Sequence, residues 1–385
     1  MYLRCLLVAL WVGAFVVSDN VSAMSRKARL GKLLFFDTNL STPPGQACAS
    51  CHAPKAFFTD PDKHEPTSEG VIKGLFGKRN APTLMYSQGS PPFHFDKASG
   101  LFSGGQFLDG RASSLVDQAK GPFLQALEMN NANEGEVVDK VRASTYAGMF
   151  KQIYGPSSLD QPASAYQKIA ESIAAFEKTP AFAPMTSKYD YYLMGMVRLT
   201  PEESRGKSVY EDAHKGNCAA CHPNRPSDDG RQRPVFTDFS YDNLGIPKNP
   251  SNRYYQQNRA FNREGYRFVD EGLAENVNNA AESGKFKVPT LRNIDKTGPY
   301  MHNGYFNTLR GVIEFYNTRD VKPECPSDWT DEDAALAQGC WPAPELNSHV
   351  NRNELGHLGL SPQNIDDLIA FLKTLTDGYR LNRGR

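Results

Sequence analysis

Two pentapeptides of the form C-x-x-C-H, CASCH at 48–52 and CAACH at 218–222, constrain this chain of 385 residues more than anything else in it. Two thiols at that spacing add across the vinyl groups of a haem, and the histidine that follows lies beneath the iron as its proximal ligand. One such motif alone is also compatible with zinc binding or dithiol redox chemistry. A pair of them in an exported chain indicates two c-type haems, one on Cys48, Cys51 and His52, the other on Cys218, Cys221 and His222. The two histidines stand 170 positions apart, enough chain to give each haem its own domain.

Export is read from the opening residues, MYLRCLLVALWVGAFVVSDNVSA. A basic start at Arg4, an apolar run from Cys5 to Val17 and a small-residue exit at Val21-Ser22-Ala23 describe a secretory signal over 1–23. The run of 13 residues falls short of the roughly 20 that a membrane-spanning helix needs. The expected mature chain is therefore periplasmic, with no membrane span. With 43 basic and 43 acidic residues the net charge is zero, which gives no electrostatic footprint for nucleic acid. Of seven cysteines, Cys5 leaves with the signal and four belong to the haem motifs. Cys325 and Cys340, 15 positions apart with no histidine at metal-site spacing, are most simply a disulfide in an oxidising compartment, the alternative being two free thiols.

Helical signals dominate the rest. ARLGKLLFFDTNLS reads as a short amphipathic helix and a turn leading into the first motif, and PEESRGKSVYEDAHKGNCAACH repeats that plan, with Thr200 as cap and Pro201 at the first helical position. SAYQKIAESIAAFEKT is periodic at helical spacing, and SPQNIDDLIAFLKTLTD starts with Ser361 as cap. Residues 223–290 are polar and rich in Gly and Pro, and read as a long, partly ordered excursion. The expected fold is mainly α: two cytochrome c-like haem domains, 24–185 and 186–385, with long loops and little strand.

Several segments are familiar as a set: LGKLLFFDTNLS before the first motif, GKRNAPTL (77–84), FLDGRASSLVDQAKGPFLQALEM (107–129), and KVPTLRNIDKTGPYMHNGYFNTLRGVIEFY (287–316). On these, the chain resembles the bacterial di-haem cytochrome c peroxidase superfamily, and within it the MauG-like branch, over nearly the whole mature length. The resemblance implies that the N-terminal haem is the peroxide site. Gln118 and Glu128, ten positions apart, match the family's pair above its open face, and Pro122 between them helps to shape the pocket. A carboxylate there can take a proton from one peroxide oxygen and deliver it to the other, while the amide orients the bound molecule. His64, in the loop where peroxidases carry a reversible iron ligand, lacks the family's Gly-His-Gly context and reads as an exposed loop histidine.

The resemblance also bears on the second haem. Peroxidases place a methionine ligand 14 residues after the histidine of P-Y-x-H, and the MauG-like branch places a tyrosine there; here the step runs from His302 to Tyr316. Met301 and His302 are rival ligands on spacing alone. Methionine raises a haem potential, whereas an anionic phenolate favours oxidised iron. Asn80 matches a calcium ligand, with the main-chain carbonyls of Thr297 and Pro299 supplying further oxygens; calcium takes about 6–8 oxygens, carbonyls and waters included.

Two positions depart from the family. Leu108 stands where a tryptophan between the haems is usual, and Gly216 stands where MauG carries a tryptophan that relays charge to its partner. The expected function is a di-haem oxidoreductase that uses hydrogen peroxide to form high-valent iron and oxidises tryptophan side chains of a periplasmic or surface protein partner. The alternative is a cytochrome c peroxidase that reduces hydrogen peroxide with electrons from a small cytochrome or cupredoxin. A third, a non-catalytic electron carrier, sits poorly with Gln118 and Glu128.

Overall fold

Gly31 and Gly206 hold equivalent places in two copies of one design. In a computed structural model describing residues 24–226 and 232–381, helix Arg26–Phe35 packs against helix Pro162–Glu177, and helix Pro201–Glu211 against helix Pro362–Lys373. The helices meet so closely that a Cβ on Gly31 would lie 1.8 Å from the carbonyl oxygen of Ser172, and one on Gly206 1.8 Å from that of Asp367. The residue one turn after each glycine, Phe35 and Tyr210, is wholly buried. The proposed signal over 1–23 lies outside the described residues.

The caps expected from sequence are formed. Thr200 accepts from the amide of Glu203 while the Glu203 carboxylate accepts from the amide of Thr200, a reciprocal box; Ser361 accepts from the amide of Asn364. Each satisfies backbone donors that a helix start leaves open. One apolar cluster draws on residues between Leu30 and Phe182, a second on residues between Tyr189 and Leu375, and a third gathers Phe306, Phe315 and Trp341 around the Cys325–Cys340 disulfide. The fold is mainly helical; the strands among the described residues make only two small antiparallel pairs, His94–Asp96 with Leu101–Ser103 and Tyr241–Asp242 with Phe286–Lys287.

The described part of the polar stretch 223–290 lacks long elements, and buried asparagines order it. Asn249 donates to the carbonyls of Asn303 and Gly304, Asn252 to that of Lys78, and Asn243 to those of Leu346 and Ser348. A buried loop must satisfy its own peptide groups, and an asparagine amide supplies two donors and an acceptor. Arg292, fully buried, makes two 2.9 Å bonds to the carboxylate of Asp190, a bidentate pair inside the second core.

Gly206→Ala should cost about 1–3 kcal/mol or more, because the new methyl meets backbone that cannot yield. Gly148→Ala, in helix Ala147–Tyr154 with no atom within 4 Å of its new methyl, should instead stabilise by roughly 0.4–1 kcal/mol. Thermal denaturation of the holo protein separates the two.

Candidate active site

Each haem-motif histidine is seated by the same set of hydrogen bonds. His52 Nδ1 lies 3.0 Å from the carbonyl oxygen of Phe58, and His222 Nδ1 2.8 Å from that of Phe236. Thr83 and Thr290 donate their hydroxyls at 2.6 Å to the preceding carbonyls, those of Phe57 and Val235. The amides of Leu84 and Leu291 reach Phe58 and Phe236 again. A Pro-Thr-Leu triplet thus clamps the loop after each motif. Both phenylalanines have left-handed backbone, φ 55° at Phe58 and 57° at Phe236, which is costly for a bulky residue and aims the carbonyl at the imidazole. Burial lowers both imidazole pKa values, while the carbonyl contacts pull the other way. A neutral ring held at Nδ1 presents Nε2, the form that ligates iron.

One cavity of about 910 Å³ is lined from both motifs, by Cys51 and His52 on one side and Cys218, Cys221 and His222 on the other. Its walls are largely apolar, as a porphyrin requires. Burial pushes the thiols of Cys51, Cys218 and Cys221 up to about 12; an uncharged thioether suits such surroundings. Lys287 reaches the cavity too. Its ammonium donates at 2.6 Å to the carbonyl of Gly105, and burial lowers it to about 8 although Asp109 pulls it back up. A cation so placed, with no carboxylate at ion-pair distance among the described residues, suits a haem propionate. The residues present therefore fit two haems.

The sequence-expected distal residues are brought to this cavity together. Ser114 caps helix Leu115–Leu124, which carries Gln118 and, one turn on, Pro122. Proline has no N–H for the carbonyl of Gln118, and the helix stops two residues later. The chain then turns, with the amide of Glu128 bonded to the carbonyl of Gln125 at 2.9 Å and the carbonyl of Glu128 accepting from Val71 at 2.8 Å. This delivers the Glu128 side chain to the wall that holds Gln118 and Pro122. Burial raises the Glu128 carboxyl to about 6, opposed by the charge of Arg111. His64 is exposed and stands outside the cavity wall.

Helix Leu309–Thr318, capped by Thr308, places Tyr316 in its last turn, facing the cavity. The phenol oxygen is 4.0 Å from the sulfur of Met301, so two of the three contending ligands are neighbours. The third, His302, is taken up otherwise: its ring stacks on Phe286 at 3.8 Å and its Nε2 is 3.5 Å from Glu345. Burial raises the Tyr316 phenol well above the usual value, helped by Cys218, Cys221 and Asp242 and opposed by Arg319. The sulfur charges vanish once the thioethers form, and a cation opposite would pull the phenol down.

Asn80, Thr297 and Pro299 also line the cavity. The amide group of Asn80 donates to Pro66 at 2.9 Å and its backbone N–H to His302 at 2.7 Å, leaving its side-chain oxygen as an acceptor. No group of three or more His, Cys, Asp or Glu side chains that could hold a metal occurs among the described residues. A calcium here would rest on amide and carbonyl oxygens, as the sequence reading has it.

The two departures have physical content. Leu108 lies on the cavity wall, its carbonyl accepting from Lys287 at 2.8 Å. Gly216 cannot carry a side chain as the chain runs, since a Cβ would sit 2.5 Å from the carbonyl oxygen of Val209. Sequence reasoning missed the charged frame: Arg79, buried, bonds Asp109 at 2.5 Å and Asp270 at 2.6 Å, and Arg111 lies over the Phe107 ring at 3.6 Å while bonding Asp109. The arginines within GKRN and FLDGR were its only trace in sequence.

Comparison with known proteins agrees with this geometry. A family model described as di-haem cytochrome c peroxidase matches residues 25–198. The methylamine utilization protein MauG of Paracoccus denitrificans (strain Pd 1222) is 38% identical, covering 91% of this chain and 88% of its own. Cytochrome c551 peroxidase of Nitrosomonas europaea is 33% identical, over 91% and 79%. Among solved structures, the diheme peroxidase BthA of Burkholderia thailandensis E264 superimposes with a TM-score of 0.76 at 32% identity, covering 91% of this chain and 86% of BthA. A MauG-like protein associated with microbial copper homeostasis gives 0.64 at 30%, over 92% and 90%. The chain belongs to the di-haem cytochrome c peroxidase family. It is an enzyme of that family, whose members include both MauG proteins and cytochrome c peroxidases.

If Glu128 acts as the proton-accepting base, reaction of the holo protein with hydrogen peroxide should slow as pH falls through about 6. The raised value leaves the carboxyl ionised above that pH and protonated below it. Glu128→Gln should retain both haems, lower the rate by about 10²–10⁴-fold and abolish the pH dependence, read by stopped-flow absorbance.

Proposed function

We propose that this protein is a peroxide-dependent di-haem oxidase that withdraws electrons from aromatic side chains, tryptophan above all, of a protein partner. The observation that carries this reading is Tyr316 on the cavity shared with His222. With a haem held by His222, a phenolate from Tyr316 as its other ligand would favour oxidised iron and make that haem a poor acceptor from a high-potential carrier. The haems, when bound, supply the redox chemistry, and one hydrogen peroxide takes two electrons and two protons to become two waters. The chain's own residues do the rest. Glu128 holds and moves the proton between the peroxide oxygens, Gln118 orients the molecule, and Pro122 ends the helix so that both face one space. His52 and His222 are the proximal ligands, with Cys48, Cys51, Cys218 and Cys221 as attachment points. Asn80 with the carbonyls of Thr297 and Pro299 would hold a calcium ion, which would tie the segment before the Pro-Thr-Leu at 82–84 to the loop carrying Met301 and His302.

Export by residues 1–23 places the enzyme in the periplasm, and the division into haem domains falls near residue 185. Among the described residues no helix is long and apolar enough to cross a membrane. The second reading, peroxide reduction at the expense of a small cytochrome or cupredoxin, has support in the likeness to cytochrome c551 peroxidase and in Met301 beside Tyr316.

One experiment separates them. Holo protein and hydrogen peroxide are given either a reduced small cytochrome or the product of a neighbouring gene. Oxygen incorporation or cross-linking at a partner tryptophan, found by peptide mass spectrometry, with slow cytochrome oxidation, is the expected outcome. Rapid stoichiometric cytochrome oxidation with an unmodified partner would establish the peroxidase reading instead.

A further inference from the structure

An exposed aromatic pair is joined to the haem cavity by a continuous line of side chains. Tyr266 is 55% exposed and Trp329 39%, and their rings meet edge to face at 5.2 Å. Trp329 packs in the same manner on Tyr255, at 5.4 Å, and Tyr255 is buried. The Tyr255 hydroxyl donates to Glu345 Oε1 at 3.2 Å, and Glu345 Oε2 is 3.5 Å from His302 Nε2. Glu345, His302 and the Phe286 ring stacked on it all line the cavity. The cysteines that haem attachment does not use fall into place here: the Cys325–Cys340 disulfide closes the loop that presents Trp329, and Tyr305 ties that loop down through the carbonyl of Thr330 at 2.9 Å. Trp341, at the far end of the loop, is buried with its indole N–H held by Thr318, so it offers no surface.

We propose that Trp329 and Tyr255 are relay residues that carry electrons from an oxidisable side chain at the surface to the haem cavity, with Glu345 holding the proton that Tyr255 releases. The proposal rests on the peroxide-dependent reading above and supplies the route that Leu108 and Gly216 leave missing. In the first step Tyr255 loses an electron towards the cavity and its hydroxyl proton to Glu345, becoming a neutral radical. Trp329 then gives an electron to Tyr255, which takes its proton back. The cationic indole is refilled by one electron from the partner. Two passages supply the two electrons that one hydrogen peroxide, the oxidant, accepts on becoming two waters, and leave the partner two electrons poorer. Proton loss at Tyr255 is tied to electron loss. Burial and the neighbouring Glu345 carboxylate hold its phenol protonated at rest, and the Lys248 ammonium, 5.5 Å from the ring centre, repels a cationic ring.

The test uses the holo protein and hydrogen peroxide with no partner, so that the relay has nothing to refill it. Peptide mass spectrometry should find added oxygen on Trp329. Tyr255→Phe keeps the packed ring and loses the proton exchange. It should bind both haems and react with the first equivalent of peroxide, a step that precedes the relay, while oxygen addition at Trp329 falls to that of the untreated control. In Trp329→Phe a tyrosyl radical should persist longer by electron paramagnetic resonance, and Tyr255→Phe should lack it. An unmodified Trp329 in wild type that consumes peroxide overturns the relay alone. So does equal modification in Tyr255→Phe, which would indicate direct attack from solution. Absence of any reaction with peroxide overturns the functional reading and the relay with it.

Discussion

The hydrogen bond from each buried imidazole to a backbone carbonyl is the contact on which the rest of this structure turns. It fixes the ring that faces the cavity, while burial, working against the pull of the carbonyl, favours its neutral form. Its acceptor is a carbonyl aimed by a left-handed phenylalanine, a conformation a bulky side chain adopts only when its surroundings hold it there. The Pro-Thr-Leu triplets do that holding, through a threonine hydroxyl and a leucine amide in each half. The glycine contacts at Gly31 and Gly206 close a helix pair in each half. Two halves of unrelated loop content thereby build the same proximal support.

Asymmetry begins on the other side of the cavity. In the first half a helix broken by Pro122 leads to a buried carboxyl at Glu128, poised near neutrality by burial rather than by a charged partner. In the second half a helix end presents a phenol with a thioether beside it. The first arrangement suits proton movement at an open position, and the second suits a filled one. As the donor opposite a haem's histidine, a phenol and a thioether would push its potential in opposite directions.

Much of this was legible in the sequence because the signals are covalent or local. Cys-x-x-Cys-His, the Thr200 and Ser361 caps and the helix-spaced apolar runs each specify structure within a few residues, and the caps and helices are formed. Gln118, Glu128 and Tyr316 could be located through the family resemblance, by their places within its motifs, and all three line the cavity. What could not be read depends on contacts across the chain. The left-handed phenylalanines carry no compositional mark, since such strain is imposed by neighbours. The asparagines that order the described part of 223–290 looked like loop polarity until their acceptors, more than 50 positions away for Asn249, were in view. Arg79 with Asp109 and Asp270, and Trp329 against Tyr255 and Tyr266, join segments that nothing in a single sequence pairs.

The central claim is that the Tyr316 oxygen, and not the Met301 sulfur, is bound to the second iron opposite His222. Resonance Raman spectroscopy of the ferric holo protein, grown with ring-deuterated tyrosine, tests it directly. The account predicts iron–phenolate vibrations that shift with the label and disappear in Tyr316→Phe. A spectrum without label-sensitive bands, together with loss of the native second-haem signature in Met301→Leu, would contradict it.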